Sequence, residues 1–133
     1  MKSPLDVALW ECLVEGLGNY RSFSSKWLNK NGTISDYASS VLNRLQPVFT
    51  DRIALLANAT NEQADTLLEG LSMGKFDEKW GALTVALWLK KETGGNDKLL
   101  QKWVELGPRG ILILARKHLP DNLYGKIRES LNN

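Results

Sequence analysis

From Trp80 to Leu89 this chain is apolar at nearly every position, with only Gly81 and Thr84 interrupting. A helix on a protein surface keeps an apolar stripe of about 100° and is polar elsewhere, so a helix that is apolar all round must be enclosed by neighbours. Trp80, Leu83 and Leu87 follow the three-to-four spacing of one helical face, and Trp88 widens it. The surrounding stretch, Phe76 to Thr93, therefore reads as a central helix over about residues 77–92, capped by Asp77, with other helices packed round it.

A chain of 133 residues fits one domain, 1–133. It buries enough surface to fold without a metal or a disulfide. Cys12 is the single cysteine, so no internal disulfide forms, and a reducing, cytoplasmic setting fits. Asp6, Glu11 and Glu15 interrupt the first apolar segment, which does not read as a signal peptide. No stretch approaches the ~20 apolar residues of a membrane span, so the expectation is a soluble protein. Net charge is +2, too small to imply a polyanionic partner. It is unevenly placed, because residues 96–133 hold seven Lys/Arg against four Asp/Glu.

Helix signals recur along the chain. Ser3-Pro4 with Asp6 opens a first helix that Gly16 and Gly18 should end. Tyr20, Phe23 and Trp27 imply a second over about 19–30, closed by Asn31-Gly32. Ser35 or Thr33 caps a third, with Tyr37, Val41, Leu42 and Leu45 inward, and Pro47 should break or kink it. A further segment runs from Pro47 to Asn58. Thr60 with Gln63 is a capping box for a helix to about Leu71. Gly94-Gly95 marks an internal joint at 94–95. Beyond it come helices over 97–106, 108–118 and 121–131, separated by Gly107-Pro108 and Pro120. No strand with a partner is evident. The expected fold is all-α: a compact single-domain bundle of seven or eight short helices around the central one.

Catalytic and metal constellations are hard to assemble. One His and one Cys cannot furnish a zinc site of the usual ligands, and no cofactor motif is present. A Cys12–His118 pair lacks anything to lower the thiol pKa, and His118 reads as a helix-ending cation. Glu11 and Glu15, or Glu62, Asp65 and Glu69, share helix faces but have no Glu-x-x-His companion, so they read as solvated. The expectation is a protein that is not an enzyme and has no resident metal or cofactor.

Binding surfaces are the better prospect. Five tryptophans are many for this length, and Trp suits both cores with a polar edge and interfaces. Trp27, Trp80 and Trp103 fall on inward stripes. Trp10 and Trp88 lie off the sharpest stripes and become candidates for a partner-binding face, together with Ile53 and Leu55 from the apolar run Ile53–Ala57. The leading function is a non-enzymatic interaction module (an adaptor, chaperone or assembly subunit) that binds a protein or a second copy of itself. The alternative is a nucleic-acid-binding accessory protein using helices 97–131. There Arg109, Arg116, Lys117, Lys126 and Arg128 would meet phosphates and Trp103 would stack on bases. The segment Leu106–Gly110, with two glycines and an arginine at a helix start, could also receive an anion.

Overall fold

A computed structural model describes residues 2–133. Seven α-helices follow one another: α1 (Pro4–Tyr20), α2 (Asp36–Leu56), α3 (Asn61–Leu68), α4 (Ala82–Thr93), α5 (Gln101–Leu106), α6 (Arg109–His118) and α7 (Asp121–Leu131). Two 3-10 turns, Phe76–Glu78 and Asp97–Leu100, lead into α4 and α5. Among the described residues the one extended pairing is an isolated bridge between Leu28 and Ile34. The molecule is an all-α bundle.

α4 is its axis. Every residue from Trp80 to Lys90 is buried, as an all-round apolar helix requires. It packs most extensively on α1, and also on α2 and α6. The closeness of α1 and α4 depends on Gly16, because a Cβ there would stand 2.7 Å from Cγ1 of Val85. The glycine that looked like a helix end is therefore a packing position inside α1, which continues to Tyr20. The α-helix also starts later than expected, at Ala82 with Gly81 as cap residue, and Asp77 belongs to the preceding 3-10 turn.

Two other expectations are corrected. Residues 21–35 form an irregular hairpin-like loop in place of a helix over 19–30. Side chains there out-compete the helical ladder: Asn29 Nδ2 donates to Thr33 Oγ1 and to the Ile34 carbonyl, and Asn31 Oδ1 accepts from the Thr33 amide. Phe23 and Trp27 still face the core, but from this loop, and Tyr20 does so from the last turn of α1. Pro47 does not divide α2, which is continuous over its 21 residues. Pro47 and Asn43, whose carbonyl loses its usual amide donor, are both exposed, so the missing bond falls on the solvent side of the helix.

Other caps do form where the sequence places them. Ser3 with Asp6 and Thr60 with Gln63 make reciprocal capping boxes. Asn96 accepts from the Lys98 amide, and Gly94 takes the left-handed conformation after α4. The joint at 94–95 is packed against the 21–35 loop: a Cβ on Gly32 would come within 2.9 Å of the Gly95 Cα. Tyr20 reinforces the same corner, its hydroxyl lying 2.9 Å from Thr93 Oγ1 and donating to Asp97 Oδ1 at 2.7 Å.

Candidate interaction surface

The capping box at Ser3 sets the phase of α1. Ala8, Leu9, Cys12 and Leu13 then face the core, while Val7, Trp10 and Val14 face outward. Those three lie three and four residues apart, so they form one line along the helix. Trp10 is 42% exposed and Val14 58% exposed. Trp10 stands between two shallow depressions. One, of roughly 300 Å³, is lined by Val7, Trp10, Val14 and the carboxylates Glu11 and Glu15. The other, of roughly 370 Å³, lies between α1 and the start of α6 and is lined by Lys2, Asp6, Trp10, Leu106, Pro108 and Arg109. The Lys2 ammonium rests 5.1 Å from the Trp10 ring centre.

Charge is divided along this face. Lys2 and Arg109 stand at its amino-terminal end, where Asp6 is engaged with the Ser3 amide. Glu11 and Glu15 flank the far half. Glu11 accepts from the Ser72 hydroxyl at 2.9 Å, and Glu15 is exposed. The Glu11/Glu15 pair is thus the rim of an apolar stripe. Among the described residues no three His, Cys, Asp or Glu side chains converge as metal ligands.

Of the other partner-binding candidates, Leu55 is 58% exposed over a depression lined by Glu62, Gln63, Thr66 and Leu67. Ile53 is completely buried on the opposite side of α2, so it presents nothing to a partner. Trp88 is also corrected: it is 0% exposed, and its indole Nε1 donates to the buried Gln46 Oε1 at 3.0 Å. The off-stripe position of Trp88 meant nothing on a helix enclosed on all sides.

The basic candidates stand on α6 and α7. Arg109 and Lys117 sit at opposite ends of α6, Lys117 donates to Glu92 at 2.9 Å, and Lys126 lies 4.0 Å from Asp51. Arg116 and Arg128 are exposed, but Trp103 is buried and cannot stack on a base. Near Leu106–Gly110, Arg109 points to the Trp10 depression.

His118, Glu92 and Cys12 are the remaining titratable groups that the sequence left to weigh or that pair with one. His118 stacks on Trp88 with ring centres 6.2 Å apart, and its Nε2 meets Glu92 Oε2. Burial lowers the His118 pKa, against the opposing pull of Glu92, so the neutral imidazole donates Nε2–H to the carboxylate. Burial pushes the Glu92 pKa up, but the bonds from Lys117 and His118 outweigh it and hold the carboxyl below its ordinary value. The pair ties α6 to α4. Cys12 is wholly buried and its thiol pKa is driven far up by burial, with the Glu11 charge adding to the effect, so it is an inert small hydrophobe.

One concave region went unread in the sequence. Trp27, Tyr37 and Phe76 surround a cleft of roughly 390 Å³ beside the 21–35 loop. Tyr37 faces this cleft from the start of α2, 39% exposed, and not the core as its helical spacing implied. No protein-family model, characterised protein or solved structure matches the chain.

Proposed function

We propose that this chain is a non-enzymatic helical interaction module whose α1 face receives an apolar surface of a protein partner, and that the partner is a second copy of the chain. The observation that carries this reading is Trp10, held half in the open between exposed Val7 and Val14. An aromatic anchor flanked by smaller apolar side chains and rimmed by charge is the usual anatomy of a binding hot spot. Exposed aliphatic residues scattered singly would mean little, but these lie in one line.

The charge layout favours a like partner. Two copies of the face laid together in opposed directions bring Lys2 and Arg109 of one towards Glu11 and Glu15 of the other, and a two-fold axis makes both contacts at once. Such rim pairs orient the encounter, while Trp10 supplies most of the affinity. Sedimentation velocity over a dilution series tests this. The wild type should pass from dimer to monomer on dilution. Trp10→Glu should remain monomeric with an unchanged helical spectrum, since the ring it removes is not part of the core. A wild type that is monomeric at every concentration would overturn self-pairing.

A further inference from the structure

The cleft beside the 21–35 loop has the construction of a cation cage. Trp27, Tyr37 and Phe76 meet edge to face, the Trp27 ring centre lying 4.9 Å from Tyr37 at 69° and 5.3 Å from Phe76 at 71°. Phe23 backs the cluster, 5.5 Å from Trp27. Tyr37, 39% exposed, is the open wall of the cleft, while Trp27, 3% exposed, forms its floor beneath Lys26, and the face of each ring carries negative quadrupole potential.

The protein already uses that potential. The Lys26 ammonium hangs 4.8 Å from the Tyr37 ring centre and 5.9 Å from that of Trp27, and Lys79 lies 5.6 Å from Phe76. Neither amine pairs with a carboxylate within 4.0 Å among the described residues. Asp77 supplies the negative charge at the lining, shared with Arg44, whose guanidinium lies 3.9 Å away. Ser22 and Ser24 contribute the remaining polar wall.

We propose that this cleft binds a quaternary ammonium group, with Trp27, Tyr37 and Phe76 as its cage and Lys26 as an internal competitor. A tetraalkylated nitrogen is weakly hydrated and presents methyl groups to Tyr37 and Phe76, and to Trp27 once Lys26 is displaced, whereas the compact lysine ammonium gives up much more hydration to sit on them. The volume lies near the small end of ligand sites, which run from about 300 to 1,000 Å³, and suits a head group better than a large molecule.

The test is a proton NMR titration of the full chain with tetramethylammonium and choline chlorides. Sodium chloride at equal ionic strength and the uncharged isostere 3,3-dimethylbutanol are the controls. The ammonium methyl signals should move upfield, the ring signals of Trp27 and Tyr37 should shift, and the isostere should bind at least about tenfold more weakly. Tyr37→Ala, at a partly exposed position, should weaken binding about tenfold. Lys26→Ala, which removes the competing ammonium, should tighten it. A site that favours anions would instead lose affinity in Lys26→Ala. That result, equal binding of the isostere, or an absence of ring shifts overturns the proposal. A choline response without one from tetramethylammonium places recognition in the hydroxyethyl arm and overturns it as well.

Discussion

Single side chains divide into those that hold the core and those that leave it unaffected, and the tryptophans show the division best. Trp88 fills the centre, edge-on to Phe49 at 4.9 Å and bonded to Gln46. Trp88→Ala should cost about 3–5 kcal/mol in urea unfolding, because a large cavity opens and Gln46 loses its donor. Trp10→Ala on the outer face should cost under about 1 kcal/mol in the isolated monomer. The sequence sorts four of the five tryptophans correctly. Trp27, Trp80 and Trp103, placed inward by their spacing in the sequence, are core, although Trp27 and Trp80 lie outside the α-helices, and Trp10 lies off its stripe and is exposed. Stripe reasoning fails at Trp88 because a stripe has an outside only when one side of the helix meets water.

At the scale of elements, local chemistry was legible wherever a short-range rule acts alone. The capping boxes at Ser3 and Thr60, the stop at Pro120 and the left-handed Gly94 all follow from side chains within a few residues. Where two rules compete, packing decides. Gly16 looks like a terminator in isolation, yet it lies under Val85, so Gly16→Val should destabilise the fold by about 1–3 kcal/mol or more by wedging α1 from α4. Pro47 shows the opposite case, a breaker that is tolerated because its orphaned carbonyl faces water. Pro47→Ala restores that hydrogen bond at the cost of a looser unfolded chain, and should stabilise the protein by about 1–2 kcal/mol in the same assay. The aromatic cleft was illegible for a related reason. Phe23 and Trp27 mimic helical spacing, and only the loop geometry brings Trp27 beside Phe76 and Tyr37 around one cleft.

For the whole molecule, the link between α4 and α6 sets the response to acid. His118 has a folded pKa below its ordinary 6.5, so between those values the unfolded chain binds more protons and stability falls as pH drops. Glu92 has a folded pKa below its ordinary 4.5, so a second loss follows as pH falls through that lower window. Thermal unfolding followed by circular dichroism should show a plateau near neutrality, a decline beginning near pH 6.5 and a further one below 4.5. In Glu92→Gln the lower step should vanish.

The placement of the tryptophans also has a spectroscopic consequence. Four of the five indoles are at most 3% exposed, and Trp10 alone stands in solvent. Iodide in the bulk phase therefore reaches one emitter, the red-shifted one, while the other four form a constant blue background. Any molecule that settles on α1 must shield that emitter, so the collisional quenching constant of the unlabelled protein reads out occupancy of the face directly.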